Sequence, residues 1–216
     1  MSAKTAVILA NGELGDFQSL SPRLAAAQPD LVIAADGGAR YAPGLGLHLD
    51  VVIGDLDSAS GDPGVEVVRF PPDKDETDLE LALLHALSRG AERIVLLGAI
   101  GGRLDMTLAS TLLLLHPEIT HQQVAIWHGS ETAYVLRPPG GTISGAPGDR
   151  VSLIPLAGEV SGVSTEGLQF RLRGGTLAPG PGRGISNRMT ATSAEVRLEA
   201  GVLLMVHSPG PPKDPA

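Results

Sequence analysis

Two aspartates that follow a short apolar segment are the residues of this sequence best suited to bind a metal ion. Residues 51–58 run from Val-Val-Ile-Gly directly into Asp55 and Asp57. Residues two apart in a strand point to the same side, so we expect both carboxylates to face one ligand. Carboxylate pairs at the carboxyl end of a strand suit Mg2+ that bridges phosphate groups, although the same spacing also occurs in solvated turns.

A second group of polar residues lies at the start of a predicted helix over residues 77–89. Thr77 is suited to cap that helix, and Glu80 completes a capping box. Backbone N–H groups and the helix dipole favour phosphate at such a position. We therefore consider Asp78 as a third metal ligand, with Lys74 and Thr77 on phosphate oxygens. Ordinary helix capping is the alternative interpretation.

Glycine-rich segments follow two further apolar runs. The longer one contains, in order, Gly98, Gly101, Gly102, Arg103 and Asp105. Glycines let a nucleotide approach the backbone, Arg103 can neutralise phosphate charge, and Asp105 can orient a substrate or a metal-bound water. The shorter one, Asp36 and Gly37, repeats the order of strand, acid and glycine.

These groups are expected to converge. The carboxyl ends of parallel strands share one edge of a sheet, where ligands of open α/β folds bind. The carboxylates gathered around that crevice would be Asp36, Asp55, Asp57, Asp78 and Asp105. A metal–phosphate site is the simplest reason to tolerate so much like charge. No stretch fits G-x-x-x-x-G-K-[ST], which disfavours a P-loop kinase.

The elements that must position these residues predict an α/β fold. Short apolar runs alternate with helical stretches, which is typical of a Rossmann-like, mostly parallel sheet covered by helices. The candidate strands are residues 5–11, 31–36, 51–54, 65–70, 93–98 and 123–128, and the candidate helices are 77–89 and 103–115. We predict that this α/β domain spans residues 1–130.

The rest of the chain changes pattern. Short alternating runs separated by Gly and Pro indicate an antiparallel β-sandwich, which we place at residues 131–207. Its candidate strands are residues 132–136, 150–155, 168–172, 191–198 and 202–206. The Pro-rich residues 208–216 are expected to form a flexible tail.

Composition excludes several classes of function. The 216 residues include no cysteine, which rules out disulfides, thiolate metal sites and a cysteine nucleophile and favours a cytoplasmic location. No segment approaches the roughly 20 apolar residues of a membrane span. The net charge is -8 and the basic residues are scattered, which disfavours nucleic-acid binding.

The ordered set of motifs resembles the thiamine pyrophosphokinase family over nearly the whole chain. The matching segments are Asp36-Gly37-Gly38-Ala39, Gly54 to Ser58, Lys74 to Glu80, Gly98 to Asp105, Thr165 to Phe170, and Ile185-Ser186-Asn187. Met106 stands where bacterial relatives usually carry His. The resemblance implies the same two-domain fold, with an N-terminal α/β domain that binds ATP and Mg2+ and a C-terminal sandwich that binds thiamine and mediates dimerisation.

The resemblance also implies roles for individual residues. Asp55, Asp57 and Asp78 would hold Mg2+ and the ATP phosphates, while Arg103 and Asp105 complete the pocket. Members of the family are homodimers, so Ser186 and Asn187 would contact thiamine from the partner subunit. The implied reaction moves a diphosphate group from ATP to the hydroxyl of thiamine and releases AMP, with Asp78 or Asp105 accepting the proton.

Other functions fit parts of the pattern. A diphosphokinase of the same fold could use a pterin alcohol as acceptor. A metal-dependent glycosyltransferase also places D-x-D after a strand, and a phosphatase could use Asp55 as nucleophile and Asp57 as acid. A nucleotide-sensing module would bind ATP without turnover.

Overall fold

The computed structural model of the chain describes residues 3–54, 64–71 and 73–210. The chain forms two compact units, Met1–Ser130 and Glu131–Ala216. None of the helices within the described residues is long and apolar enough to cross a membrane.

The first unit contains a parallel sheet, as the sequence predicts. Its strands are β1 (Thr5–Leu9), β2 (Leu31–Ala35), β3 (Val51–Gly54), β4 (Glu66–Arg69), β5 (Arg93–Leu97) and β6 (Gln123–His128). Each neighbouring pair is parallel, in the order β6-β5-β1-β2-β3-β4. The chain therefore builds outward from β1 to β4 and then crosses to the other side of β1 with β5. This reversal of direction lies between β1 and β5, the place where α/β sheets open a crevice for ligands.

The described part of this unit also contains four α-helices. They are α1 (Phe17–Ala27), α2 (Ala42–Leu45), α3 (Asp78–Ser88) and α4 (Leu104–Leu112), with 3-10 turns at Asp36–Tyr41 and Leu113–Leu115. The predicted helix 77–89 is confirmed, with Thr77 as its N-cap. The reciprocal bond of the predicted capping box is not formed between the Glu80 carboxylate and the N–H of Thr77; one oxygen of that carboxylate lies 3.5 Å from Nε2 of His116.

The strands of the first unit are apolar because both faces of the sheet are covered. All five residues of β1 and of β2 are buried. Leu20 and Leu24 of α1 pack in one cluster with Val7 and Leu9 of β1, and α3 packs on β1, β2 and β3. Only β4 has a mostly exposed pattern, as expected of an edge strand.

The second unit is antiparallel, as the sequence predicts. One sheet has the order β12-β9-β14-β7 and the other β11-β10-β13-β8. The strands are β7 (Glu131–Leu136), β8 (Gly140–Ser144), β9 (Arg150–Pro155), β10 (Val160–Glu166), β11 (Gly175–Leu177), β12 (Asn187–Arg188), β13 (Ser193–Arg197) and β14 (Leu203–Ser208). A single apolar cluster of fifteen buried residues joins the two sheets.

Several details of the second unit differ from the sequence prediction, which lacked β8, β10, β11 and β12. Residues 168–172 do not form a strand; only Leu168 makes an isolated bridge, to Met189. Strand β13 pairs with β8 and with β10, and the polar sequence of β10, Val-Ser-Gly-Val-Ser-Thr-Glu, obscures the alternation expected of a strand. Strand β14 continues through Ser208, so the first residue of the predicted tail is part of the sheet. Residues 211–216 lie outside the described residues.

Candidate active site

A cavity of about 430 Å3 opens in the first unit at the carboxyl ends of β1, β2 and β5. It is lined by Ala10, Asn11, Gly12, Ala35, Asp36, Asp78, Leu79, Gly98, Ala99, Gly101, Gly102, Arg103, Met106 and Ser110. Six of the residues predicted to bind the nucleotide or metal are in this set: Asp36, Asp78, Gly98, Gly101, Gly102 and Arg103. Four separate segments of the sequence therefore meet at one place.

The close approach of the chain segments that follow β1 and β5 depends on two glycines. The N–H of Gly12 donates to the carbonyl oxygen of Gly98 over 2.7 Å, which extends the strand pairing beyond the sheet. A Cβ at Gly12 would lie 2.5 Å from the carbonyl oxygen of Gly98. A Cβ at Gly98 would lie 2.3 Å from the carbonyl oxygen of Ala10, and Gly98 has a φ of +65°. Both backbones can approach each other this closely only because neither residue has a side chain.

The loop before α4 is tied to the segment after β1. Oε1 of Glu13 accepts a hydrogen bond of 3.3 Å from the N–H of Gly102. The same side chain fills the space where a Cβ at Gly101 would lie, only 2.6 Å away. The N–H of Glu13 donates to the carbonyl oxygen of Ile100. These contacts hold the loop of residues 98–102, called the glycine loop below, beside the cavity.

The start of α3 places Asp78 in the cavity. Oγ1 of Thr77 accepts a hydrogen bond of 3.2 Å from the N–H of Glu80 and so caps the helix. Nζ of Lys74 lies 2.7 Å from Oδ1 of Asp78, and both side chains are partly buried. Lys74 and Thr77 do not line the cavity themselves. Lys74 neutralises Asp78, and Thr77 fixes the helix end that carries it.

Asp36 adds a second carboxylate to the cavity. Its φ of +47° is left-handed, which is uncommon for a residue with a side chain. Gly37 does not line the cavity, but a Cβ at this position would meet the side chain of Asn11 at 2.8 Å. Because Gly37 has no side chain, it leaves room for the side chain of Asn11.

Arg103 and Asp105 form an exposed ion pair at the mouth of the site. Nη2 of Arg103 lies 2.5 Å from Oδ2 of Asp105, and Nε of Arg103 lies 3.1 Å from Oδ1. The hydrogen bond from Arg103, followed by that from the N–H of Met106, lowers the pKa of Asp105. Arg103 lines the cavity, whereas Asp105 does not. Asp105 is thus positioned to orient Arg103.

The predicted metal site is only partly described. Asp55 and Asp57 lie outside the described residues. Among the residues that are described, no three metal-ligating side chains cluster. The carboxylates of Asp36 and Asp78 that do line the cavity are hard oxygen donors, the type of ligand that Mg2+ prefers. The chemistry of this donor set fits Mg2+.

The two predicted thiamine contacts lie in the second unit. Ser186 is exposed, has a φ of +57°, and donates its N–H to Oγ of Ser152 over 3.0 Å. Asn187 is buried, and its side-chain amide forms hydrogen bonds with the backbone of Phe170. Its Oδ1 accepts from the N–H of Phe170 and its Nδ2 donates to the carbonyl oxygen of Phe170, over 2.9 and 2.7 Å. Asn187 therefore holds the loop that carries Phe170, whose side chain is exposed.

Sequence reasoning missed several residues that line the cavity. Asn11 and Gly12 lie two and three residues after β1, and a lone Asn-Gly pair is typical of a turn. Their position at the end of the first apolar strand was the signal that could have identified them. Met106 and Ser110 lie on α4 one turn apart, facing the cavity. Ser110 is the one residue of α4 that is buried.

Comparison with family models gives two matches. Residues 23–127 match the model described as thiamin pyrophosphokinase, catalytic domain. Residues 142–203 match the model described as thiamin pyrophosphokinase, vitamin B1 binding domain. Together the two matches cover well over half of the chain, and the first contains most of the cavity.

Individual proteins are also similar. A thiamine pyrophosphokinase of Bacillus subtilis is 26% identical over 140 residues, which is 64% of this chain and 65% of that relative. The crystal structure of thiamine pyrophosphokinase from Bacillus subtilis superposes with a TM-score of 0.83 at 24% identity, over 95% of this chain and 99% of the other. The yeast thiamin pyrophosphokinase structure has a TM-score of 0.78 at 18% identity, over 96% and 87%. At these identities the structures show a shared fold.

Proposed function

Because the chain belongs to the thiamin pyrophosphokinase family, we propose that it transfers a diphosphate group from ATP to the hydroxyl of thiamine, giving thiamine diphosphate and AMP. The observation that carries this proposal is the cavity at the β1/β5 crevice, where Asp36, Asp78 and the glycine loop meet. Carboxylates beside bare backbone and an arginine suit a metal-bound polyphosphate.

The ATP phosphates would lie along the glycine loop. Gly98, Gly101 and Gly102 present no side chain that would keep the phosphates away, and the guanidinium of Arg103 balances phosphate charge. Asp105 keeps Arg103 oriented, because two N–H groups of Arg103 point at its carboxylate. Gly37 supports this arrangement through its contact with Asn11.

Asp55, Asp57 and Asp78 would hold Mg2+. When bound, the ion supplies positive charge that stabilises the phosphate oxygens during transfer. Lys74 compensates the charge of Asp78 in the absence of a cation, since the two side chains are paired. Thr77 keeps the N-terminal turn of α3 intact so that Asp78 stays in the cavity.

The transfer itself is a displacement at phosphorus. The hydroxyl oxygen of thiamine bonds to the β-phosphorus, the bond from that phosphorus to the α,β-bridging oxygen breaks, and AMP leaves with the bridging oxygen. The hydroxyl proton passes to a carboxylate. We assign this role to Asp78, because Asp78 lines the cavity whereas Asp105 lies outside it.

Thiamine would be bound with help from the second unit. We propose a homodimer in which the segment with Ser186 and Asn187 faces thiamine from the partner subunit. Ser186 is exposed and available for contact, whereas Asn187 would act by holding the Phe170 loop. A cytoplasmic location also remains a prediction.

The reaction is tested by incubating the purified protein with ATP, Mg2+ and thiamine and quantifying the products by chromatography. Equal amounts of AMP and thiamine diphosphate, absent without thiamine or metal, are expected. ADP as product, or AMP release without thiamine, would contradict the proposal. A pterin alcohol in place of thiamine tests the alternative acceptor, and sedimentation of the same sample measures the dimer.

Replacing Asp78 with Asn tests the metal site. Since the carboxylate would contact Mg2+ during transfer, we expect kcat to fall about a hundredfold or more at saturating Mg2+. Asp75→Asn, a matched change at an exposed aspartate three residues away, should leave kcat unchanged. Asp57→Asn is expected to act like Asp78→Asn. Near-normal kcat in Asp78→Asn would remove this residue from the mechanism.

A further inference from the structure

Asn11 lies at the point where the sheet reverses its direction of growth. It follows β1 by two residues, and it lines the cavity opposite the glycine loop that follows β5. Ligands of open α/β sheets bind at this reversal. A polar side chain placed there is next to whatever occupies the cavity.

The cavity contains few side chains that can donate a hydrogen bond to an anion. Within the described lining, the side chains with donors are those of Asn11, Arg103 and Ser110. Arg103 already donates to Asp105, and Ser110 is buried. The side chain of Asn11 is exposed and has no hydrogen-bond partner among the described residues. A carboxamide has two N–H donors, so Asn11 keeps both for a ligand.

The backbone of Asn11 is fixed although its side chain is free. Nη2 of Arg40 donates to the carbonyl oxygen of Asn11 over 3.1 Å and lies 2.7 Å from the hydroxyl of Tyr41. That hydroxyl donates in turn to the carbonyl oxygen of Gly12. The guanidinium of Arg40 also stacks on the ring of Tyr41, with its carbon 4.6 Å from the ring centre. The backbone of this loop is therefore held by Arg40 and Tyr41, while Asn11 lines the cavity.

Gly37 lies against one face of the Asn11 carboxamide. A Cβ at Gly37 would be 2.8 Å from each of Cγ, Nδ2 and Oδ1 of Asn11. Three equal distances place that Cβ over the plane of the amide. Gly37 does not have a left-handed φ, so alanine suits its backbone. An alanine here would displace the Asn11 carboxamide, whose atoms are the nearest neighbours of that Cβ.

We propose that Asn11 donates hydrogen bonds to the polyphosphate oxygens of the donor nucleotide, and that Gly37 is required because it lets the Asn11 carboxamide lie flat beside the cavity. This inference rests on the proposed function, since it assumes a nucleoside triphosphate in the cavity. A neutral donor is suited to this place, because the carboxylates of Asp36 and Asp78 line the same cavity. Asn11 attracts phosphate without adding charge that would compete with a cation.

Asn11→Ala tests the contact by isothermal titration calorimetry with Mg2+ and ATP. Loss of one hydrogen bond to a charged oxygen predicts a rise in Kd of about tenfold. The KM for ATP should rise by a similar factor with kcat nearly unchanged. Gln18→Ala, a matched loss of an exposed carboxamide outside the cavity, should change neither value, and both variants should unfold at the wild-type temperature. A Kd within twofold of wild type in Asn11→Ala would overturn the proposal.

Gly37→Ala tests the supporting role through a double-mutant cycle. Alone, it should raise the Kd for ATP about as much as Asn11→Ala. In the Asn11→Ala background it should have no further effect, because no carboxamide remains to be displaced. An equal additional loss in the double variant would show that Gly37 contacts the nucleotide itself, which contradicts the role proposed for it here.

A third measurement identifies the part of the nucleotide that Asn11 contacts. Binding of inorganic triphosphate with Mg2+ should weaken in Asn11→Ala by the same factor as binding of ATP. Unchanged triphosphate binding would mean that Asn11 contacts the nucleoside. That result would overturn the proposal that Asn11 binds the phosphates. The calorimetry does not depend on turnover, so a wild-type protein that binds ATP but forms no thiamine diphosphate would refute the proposed reaction while leaving the Asn11 test intact.

Discussion

Glycines at the cavity differ in what they contribute. Gly98 and Gly102 both have a left-handed backbone, with φ of +65° and +71°. A side chain at Gly98 would collide with the carbonyl oxygen of Ala10, whereas nothing described lies within 4 Å of a Cβ at Gly102. The first glycine therefore permits close approach of two strand ends, and the second only permits a turn.

Gly98→Ala and Gly102→Ala form a matched pair that separates these effects. Both lose about 1 kcal/mol to the unfavourable backbone angle. Gly98→Ala must also push β1 and β5 apart at their ends, so we expect it to lose about 2–4 kcal/mol in total. Urea unfolding followed by circular dichroism measures the difference. Equal losses in the two variants would show that the crevice tolerates a wider spacing.

At the level of elements, the N-terminal turn of α3 contributes both to the stability of the fold and to the position of Asp78 in the cavity. Thr77 caps the helix, and the next residue, Asp78, lines the cavity. Two buried leucines of the same helix, Leu79 and Leu83, anchor it on the sheet. The helix start is thus fixed by a cap on one side and by apolar packing on the other.

Thr77→Ala should lose about 1 kcal/mol of stability, because the N–H of Glu80 loses its acceptor. The KM for ATP should rise as well, since fraying of this turn displaces Asp78. Ser88→Ala, at the exposed opposite end of the same helix, is the control and should leave KM unchanged. Thermal unfolding and steady-state kinetics measure both effects. A stability loss without any change in KM would separate the cap from the site.

At the scale of the whole chain, a buried aspartate in the second unit ties distant segments together. Oδ2 of Asp149 lies 2.8 Å from Nε2 of His207 and accepts from the N–H of Ala146, while Oδ1 accepts from the N–H of Gly210. Burial raises the pKa of Asp149, but the hydrogen bonds from Gly210, Ala146 and His207 outweigh it and lower the pKa below its usual value. The end of the described chain is thereby fastened to the turn before β9.

Asp149 makes the stability of the second unit depend on pH. Its pKa is lower in the folded state, so the stabilisation is fully present above the unfolded pKa, about 3.9, and is lost as the pH falls through the folded value. Asp149→Asn should lose about 1–3 kcal/mol at pH 7, because an amide cannot accept from both N–H groups. Chemical unfolding between pH 2 and 7 should show the variant and wild type converging at low pH. Glu159→Gln, at an exposed carboxylate, should show no such convergence.

The sequence by itself determined the elements that carry strong local signals. Continuous apolar runs such as that of β1 predict strands buried on both faces, and Thr77 predicts a helix start, because burial and capping depend on neighbours in the chain. The weaker signals failed. The polar pattern of β10 concealed a strand, and the apolar residues of 168–172 suggested one that does not exist.

The convergence of Asp36, Asp78 and the glycine loop could be predicted because parallel strands end at a common edge. Only the tertiary structure decided the finer arrangement. It paired Lys74 with Asp78, turned Asp105 outward onto Arg103, used Asn187 to hold Phe170, and brought Asn11 over Gly37. Each of these contacts except the first and second joins residues far apart in sequence, and all four depend on side-chain direction. Local pattern carries no information on that direction until the strands and loops have packed.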